Sequence, residues 1–264
     1  MRVAELISRV DALAPFALAE EWDNVGLLIG RGDAEVGGVM VALDGREPLV
    51  AAAADQECQL LLTHHPPIFP TVASITGYSA GGRFIQAAIE AGVAVVAAHT
   101  NLDAVPGGLN DHLARAAGLR AARPLVENPR HPGAGIGRVG SVATVTVGEL
   151  AARVARHVGL PGLSFTGEPA RLVRRVACCT GSGGGLIDAA RAAGADVFIT
   201  GDLKYHDADR ADGMALVNAP HAATEDWALR QWFPALEAAL AADGVRAVVA
   251  GQNTDPWGRS RVTL

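Results

Sequence analysis

The sequence predicts an α/β protein made of two similar, intimately joined α/β halves with mixed or parallel sheets. Three observations support this fold class. Short apolar strands alternate with helical segments along most of the 264 residues. The alternation is interrupted once, by a proline- and glycine-rich stretch at 120–140. The strand–helix–strand order of residues 39–65 also resembles that of residues 175–202. We therefore expect an N-terminal half at 1–122 and a C-terminal half at 123–264.

The N-terminal half begins with a helix, because the apolar side chains of residues 3–14 recur at helical spacing. After it, short apolar runs predict strands and the segments between them predict helices. The predicted strands are 38–43, 59–63 and 93–98, and the predicted helices are 48–57, 83–91 and 109–117.

The C-terminal half follows a predicted loop region at 120–140, where Arg-Pro, Asn-Pro and His-Pro pairs disfavour regular structure. The glycine-rich segment 181–185 fits neither nucleotide-binding glycine motif, so we expect it to be a flexible connection between a strand and a helix. The predicted strands are 139–147, 171–178, 196–200, 215–218 and 246–250, and the predicted helices are 148–158, 186–193 and 224–242.

Composition excludes several classes of function. The net charge is −6 and the sequence contains no basic stripe, so nucleic-acid binding is not expected as the main role. Cys58, Cys178 and Cys179 do not form CxxC pairs, and we expect buried free thiols rather than a disulfide framework or a thiolate zinc site. The sequence shows no signal-peptide core and no apolar run of membrane-spanning length, which predicts a soluble, cytoplasmic protein.

Two polar clusters follow predicted strands of the first half. His64 and His65 end an apolar strand, and imidazole nitrogens suit zinc, nickel, iron or manganese; the alternative is a pair of partly exposed loop histidines. His99 and Asp103 follow the next strand. Asp103 can supply oxygen ligands, whereas in isolation it would more often cap a turn. His99 is either a ligand or a residue that orients one.

Two further clusters follow predicted strands of the second half. His221 and Glu225 are four residues apart and therefore share one helical face, as helical metal ligands do, although Glu225 could instead stabilise the first helical turn. Lys204 and His206 follow the strand at 196–200 and could hold substrate charge or move protons. The competing interpretation of this last cluster is a solvated helix start capped by Asp202.

These strand ends are expected to meet, because α/β topology gathers the carboxyl ends of parallel strands at one edge. The histidines and carboxylates together exceed the ligand number of one catalytic zinc. Two divalent ions that share a carboxylate are therefore the simpler arrangement, and such pairs typically serve hydrolysis.

Five ordered motifs across nearly the whole chain resemble the Nif-three-like dinuclear metal centre proteins, which are often named GTP cyclohydrolase I type 2 homologues. The motifs are TrpAspAsnValGlyLeuLeu at 22–28, ThrHisHisPro at 63–66, HisThrAsnLeuAsp at 99–103, ThrGlyAspLeuLysTyrHis at 200–206 and HisAlaAlaThrGlu at 221–225.

The resemblance implies two similar halves with the metal site between them, and a homohexameric ring with the metal sites facing its cavity. It also implies that the chain lacks the large middle domain that longer members insert between the halves. The implied metal ligands are His64, His65, Asp103, His221 and Glu225. Residues implied to lie near the site, as ligand-orienting or substrate-contacting groups, are Trp22, Asp23, Asn24, His99, Lys204 and His206.

We therefore expect a protein that binds two divalent ions (zinc, manganese, iron or nickel) and hydrolyses a small molecule of nucleotide-like, cyclic amide or phosphoester chemistry. Glu225 is the expected catalytic carboxylate, and His206 and Lys204 are expected to assist proton transfer or hold an anionic group. The alternative is a ring-shaped metal-binding scaffold that recruits partner proteins or handles metal without catalysis.

Overall fold

The structure is a computed structural model that describes residues 1–69 and 71–257. It confirms the predicted α/β class, with helices packed around two sheets. The helices are α1 Val3–Leu13, α2 Glu47–Asp55, α3 Ala80–Glu90, α4 Thr100–Ala104, α5 Leu109–Ala117, α6 Val147–His157, α7 Ile187–Ala192, α8 Asp207–Arg210 and α9 His221–Ala241. The strands are β1 Gly26–Ile29, β2 Gly38–Ala42, β3 Leu60–Thr63, β4 Ala94–Ala97, β5 Arg120–Glu127, β6 Gly135–Thr146, β7 Ser164–Phe165, β8 Leu172–Ser182, β9 Val197–Gly201, β10 Ala215–Asn218 and β11 Arg246–Val249.

The first sheet has the strand order β1-β4-β3-β2-β11. Its strands β4, β3, β2 and β11 are parallel, and β1 is an antiparallel edge strand. Both faces are covered: Val39 and Val41 pack with α1 and α9, whereas Met40 packs with α2 and α3. This double coverage explains why β2, β3 and β4 are unbroken apolar runs instead of alternating sequences.

The second sheet has the order β5-β6-β8-β9-β10-β7, with β8, β9 and β10 parallel and the other pairs antiparallel. Leu113 of α5 and Leu150 of α6 pack on one face, and Ile187 of α7 packs on the other. The units β2–α2–β3 and β8–α7–β9 occupy corresponding places in the two sheets, as the sequence repeat predicted.

The end of the chain returns to the first sheet. Strand β11 pairs in parallel with β2, so that Arg246 lies opposite Gly38 and Val249 opposite Val41. Residues 123–264 therefore contribute to both sheets, while the proposed division at residue 122 stays a prediction.

The region 120–140 is only in part the loop that its prolines suggested: residues 128–134 form a loop, whereas residues 120–127 and 135–140 belong to strands. These strands are the antiparallel pair β5 and β6, with Pro124 opposite Arg138. Proline is tolerated there because β5 is an edge strand. Pro124 has no N–H to donate, and an edge strand has no second neighbouring strand that would need this hydrogen bond. The prediction of a loop was therefore wrong for residues 120–127 and 135–140, because sequence does not reveal which strands lie at an edge.

The glycine-rich segment 181–185 is not a free connection. Gly181 belongs to β8, its N–H donates to Thr224 Oγ1 at 3.1 Å, and its carbonyl accepts from Thr200 Oγ1 at 3.3 Å. The expectation of a flexible link was therefore wrong.

Two expectations from composition can be compared with the fold. All three cysteines are buried and unbridged, as predicted. Within residues 1–69 and 71–257, every helix is too short or too polar to pass through a bilayer.

Candidate metal centre

Four histidines converge where strands of the two sheets end. His64 and His65 follow β3, His99 follows β4, and His221 opens α9 shortly after β10. The ring centroid of His65 lies 5.2 Å from those of both His64 and His221, and 5.6 Å from that of His99. The predicted gathering of strand ends is thus present, and it spans both halves of the chain.

The first sheet fixes the orientation of His64 and His65. His64 Nδ1 donates to the backbone carbonyl of Ala98 at 3.0 Å, and His65 Nδ1 donates to Asp44 Oδ1 at 2.9 Å. Because these oxygens only accept, each Nδ1 carries a proton. In the neutral form of each ring the lone pair is then on Nε2, which faces the centre of the cluster.

His99 and His221 are held in the same way. His99 Nδ1 donates to Asp23 Oδ1 at 2.9 Å, and His221 Nδ1 donates to Asp202 Oδ2 at 2.6 Å. A carboxylate behind the distal nitrogen is the usual arrangement of metal-ligating histidines, because it fixes the ring and raises its basicity. In all four rings Nε2 is therefore the nitrogen that is available to bind a metal ion.

Glu225 places its carboxylate between these rings. Its Oε2 lies 2.9 Å from His65 Nε2 and 2.8 Å from His221 Nε2. Its Oε1 lies 3.7 Å from His64 Nε2. The residue is 4 % exposed, and the i, i+4 spacing on α9 brings it over His221, as the sequence predicted.

Asp103 approaches the cluster from α4. Its Oδ2 lies 3.7 Å from His64 Nε2, while its Oδ1 accepts from Thr180 Oγ1 at 3.1 Å. Thr180 is on β8, so this contact joins α4, which follows β4 of the first sheet, to the second sheet. Asp103 therefore serves the cluster, and the alternative of a simple turn cap does not describe its side chain.

His64 Nε2 is a buried polar atom that has no hydrogen-bond partner among the described residues. Its lone pair faces the carboxylate oxygens of Asp103 and Glu225, and acceptors turned toward one another are unfavourable unless a cation or a proton lies between them. A divalent cation satisfies this arrangement, so the residues present fit a metal ion.

The ligand atoms form two groups that share one residue. The nitrogens of His64, His65 and His99 lie within 4.8 Å of one another, and so do the donor atoms of His65, His221 and Glu225. His99, which the sequence left open between a ligand and an orienting residue, thus has its own nitrogen in the first group. Asp103 belongs to neither group, although it faces His64.

The electrostatics of the cluster favour positive charge on the rings. Burial lowers the pKa of His65, but the carboxylates of Asp44 and Glu225 outweigh burial and raise this pKa to about 10. Burial likewise lowers the pKa of His221, whereas Glu225 and Asp202 raise it to about 9 overall. The site therefore favours positive charge, which ring protons provide without a metal ion and which bound metal ions would provide in their place.

The carboxylates respond in opposite directions. Burial raises the pKa of Glu225, but its interactions with His221, His64 and His65 outweigh burial and hold this pKa well below its usual range. For Asp103, burial dominates and the pKa is raised. The difference follows from contact, because Asp103 has its nearest histidine nitrogen at 3.7 Å while Glu225 has two, at 2.9 and 2.8 Å.

Residues 22–24 lie beside the histidine cluster, and Asp23 and Trp22 contact His99. Asp23 holds His99 and also accepts from the backbone N–H of Thr100 at 3.0 Å, and these hydrogen bonds outweigh burial and lower its pKa to about 2. Asn24 donates to the carbonyl of Ile68 at 2.7 Å. The Trp22 ring lies edge-on to His99 with a centroid distance of 6.0 Å.

Lys204 and His206 lie away from this convergence. The His206 side chain is 85 % exposed, and its Nδ1 is 3.6 Å from Asp209 Oδ2. Lys204 is exposed and lines a separate depression with Phe165 and Thr166. Their expected catalytic roles stay predictions.

The sequence reasoning missed two carboxylates that orient ligands, Asp44 behind His65 and Asp202 behind His221. Each follows a buried parallel strand, as the histidines do, so a search for acidic residues at strand ends could have found both. Asp202 adopts a left-handed backbone conformation with φ of 55°. It is thus a strained residue that contacts the site, and the cap that we weighed for it does not account for its side chain.

Comparison with known proteins gives concordant results. Residues 1–256 match the sequence family Duf34/NIF3 (NGG1p interacting factor 3). A Streptomyces coelicolor protein named GTP cyclohydrolase 1 type 2 homolog is 39 % identical over 232 residues, which cover 85 % of this chain and 81 % of the relative. A Clostridium acetobutylicum protein of the same name is 33 % identical over 263 residues, covering 97 % and 98 %. The crystal structure of a Bacillus cereus protein related to NIF3 has a TM-score of 0.92 at 24 % identity, covers 98 % and 99 % of the two chains, and shows the shared fold.

Proposed function

This chain belongs to the Duf34/NIF3 family, and on that premise we propose that it binds two divalent metal ions between its halves and acts as a metal-dependent hydrolase. The observation that carries the proposal is the common orientation of His64, His65, His99 and His221. Each Nδ1 is anchored to an oxygen acceptor, and the ring nitrogens gather in two adjoining groups that share His65.

The ligand set supports two ions. His64, His65, Asp103, His221 and Glu225 would hold them, and the position of His99 makes it a sixth candidate. Glu225 is the best candidate for a shared ligand, because one carboxylate oxygen faces His64 and the other faces both His65 and His221. Ligands of nitrogen and oxygen type suit zinc, manganese, iron or nickel.

Bound divalent ions would supply Lewis-acid activation of water and of the substrate. The chain's own residues then have separable tasks. Asp44, Asp202 and Asp23 hold the rings in place, and Glu225 is the proposed catalytic carboxylate. His206 and Lys204 retain their proposed roles in proton transfer or anion binding. The test substrates are phosphoesters, cyclic amides and nucleotides. Nucleotides are included because the relatives are named GTP cyclohydrolase 1 type 2 homolog.

The first test is metal analysis of the purified protein by inductively coupled plasma mass spectrometry. We expect close to two ions per chain, and fewer than half an ion in the double variant His65→Ala, Glu225→Ala, because these residues contact both groups. The control is His131→Ala, a histidine in the loop between β5 and β6, which should keep the wild-type metal content.

Catalysis is tested separately with metal-loaded protein and the three substrate classes. Glu225→Gln should abolish turnover, and circular dichroism should show that the fold survives. Metal binding without hydrolysis of any substrate would favour the scaffold role. Absence of metal after addition of zinc or manganese would contradict the whole proposal.

We also propose that the protein assembles as a homohexamer. Exposed apolar side chains on the segment before α3 support self-association, because a monomer seldom exposes such a group: Phe69, Val72, Ile75 and Tyr78 are between 41 % and 97 % exposed in the single chain. Light scattering should give a mass about six times the 27.1 kDa chain mass.

A further inference from the structure

A cavity of about 450 Å³ opens beside the candidate metal centre. His65 and His221 form part of its wall, together with Asp44, Asp202 and Arg46. Its volume is that of a small-molecule site. A molecule in this cavity would contact two of the candidate metal ligands and the arginine at the same time.

Arg46 is an exposed cation at the beginning of α2. Within the described part of the chain, its guanidinium makes no hydrogen bond and no ion pair closer than 4 Å. Arg46 also lines the adjoining cavity of about 390 Å³, which shares His65 with the first.

The carboxylates of the 450 Å³ cavity, by contrast, already have partners. Asp44 accepts from His65, Asp202 accepts from His221, and Asp255 accepts from the backbone N–H of Trp257 at 2.9 Å. The guanidinium of Arg46 is therefore the charged group of this cavity that is left to meet a ligand.

The backbone that carries Arg46 is fixed relative to the cluster. His65 N–H donates to the carbonyl of Leu43 at 2.9 Å, which ties the two loops together. A side chain at Gly45 would lie 2.7 Å from the Cβ atom of Pro67 and 2.9 Å from the Phe84 ring, so the two loops are closely packed. Arg46 thus projects from a rigid position near His65.

We propose that Arg46 binds an oxyanion group of the substrate, a phosphate or a carboxylate, while the reacting group of the same molecule lies at the metal centre. The inference rests on the proposed function, and it adds a substrate class to it. The planar guanidinium fork suits both anions, because it donates two parallel hydrogen bonds to two oxygens.

The first experiment maps arginine modification in the intact, zinc-loaded protein. Phenylglyoxal should modify the exposed Arg46, and inorganic phosphate should protect it, as read by peptide mass spectrometry. Arg156, an exposed arginine near the end of α6, provides the internal control and should be modified equally with and without phosphate. Equal modification of Arg46 in both conditions would overturn the inference.

The second experiment measures dissociation constants by calorimetry for inorganic phosphate and for acetate. The variant Arg46→Gln should bind the preferred anion about tenfold more weakly or worse, the typical effect of losing a charge-assisted hydrogen bond. Arg46→Lys should recover part of the affinity because it keeps the charge, and Arg156→Gln should match the wild type. The anion whose affinity falls more in Arg46→Gln shows whether Arg46 binds a phosphate or a carboxylate group of the substrate.

Metal content, measured on the same samples, separates the two proposals. Two ions per chain with identical anion affinity in wild type and Arg46→Gln would overturn the role of Arg46 and leave the metal centre intact. Loss of metal from the wild type itself would instead count against the proposed function.

Discussion

In the histidine cluster, a single hydrogen bond at Nδ1 sets the orientation of each ring. A histidine without an anchor can rotate and can carry its proton on either nitrogen. Here an acceptor oxygen behind each ring fixes both the rotation and the protonated nitrogen. The ligand nitrogens are therefore oriented before any ion binds, which reduces the entropy lost on binding.

Gly181 is a second residue on which the centre depends. A Cβ atom at this position would lie 1.9 Å from Glu225 Oε1, and the backbone φ of 63° is in the left-handed region that favours glycine. We predict that Gly181→Ala displaces the Glu225 carboxylate and lowers the metal content by at least half. The free energy of unfolding should also fall, by about 1 kcal/mol or more.

The matched control for this variant is Gly185→Ala in the same segment. Among the described residues, a Cβ atom at Gly185 would meet no neighbour within 4 Å, and the backbone φ there is not positive. Mass-spectrometric metal analysis and urea unfolding should therefore give wild-type values for it. Equal metal content in the two variants would show that Glu225 is not confined by Gly181.

Among the helices and strands, a buried ion pair ties α5 to β6. Arg138 is 2 % exposed, and its guanidinium donates to both carboxylate oxygens of Asp111, at 2.7 and 3.0 Å. It also donates to the carbonyls of Gly135 and Gly137. These hydrogen bonds satisfy most of the donors of Arg138. Its buried positive charge also needs a negative counter-ion, and Asp111 provides one only while it is ionised.

We predict that Asp111→Asn lowers the free energy of unfolding by about 3 kcal/mol at pH 7, because it leaves a buried charge without its counter-ion. Asp243→Asn, which breaks an exposed pair with Arg9, should cost less than about 1 kcal/mol. Urea unfolding of both variants beside the wild type measures the difference. Equal losses would show that burial does not distinguish the two pairs.

The effect of Asp111 should depend on pH with a definite sign. Burial raises the pKa of Asp111, but the hydrogen bond and charge of Arg138 outweigh burial, so the pKa in the folded protein is lowered. Its contribution to stability is therefore complete above the unfolded pKa of about 3.9 and is lost as the pH falls through the folded value. The stability difference between wild type and Asp111→Asn should stay constant from pH 7 to about pH 5 and shrink below about pH 4.

At the scale of the whole molecule, α9 and β11 join the two sheets. Trp232, Leu236 and Leu240 of α9 are buried in the core of the first sheet, while Trp227 packs against the cores of both sheets. Strand β11 then completes the first sheet beside β2. One helix thus carries His221 and Glu225 to the site and also holds the halves in their relative position.

This arrangement predicts that the halves unfold together. Leu236→Ala in the first core and Leu150→Ala in the second should each cost about 2–5 kcal/mol, because both side chains are fully buried. Each variant should shift the same single transition of the metal-free protein, followed by tryptophan fluorescence and by circular dichroism. Separate transitions, with each variant moving only one, would show that the halves are thermodynamically independent.

The amino-acid sequence alone was enough to predict the α/β class, most helices and strands, and the residue types that meet in the centre. It could do so because these features are local: apolar periodicity marks each strand and helix, and the histidines and carboxylates follow strand ends directly. Residues 109–117 and 215–218, for example, were predicted with the bounds of α5 and β10.

The contacts between residues far apart in sequence could be read only from the folded chain. The edge position of β5 that accommodates Pro124, the return of β11 to β2, and the contacts of Asp44 with His65 and of Gly181 with Glu225 all join segments far apart in sequence. Local patterns carry no information on such pairings, because strand order and side-chain convergence follow from how the whole core packs. The same holds for Arg46, whose relation to the metal centre exists only once its loop is packed beside that of His65.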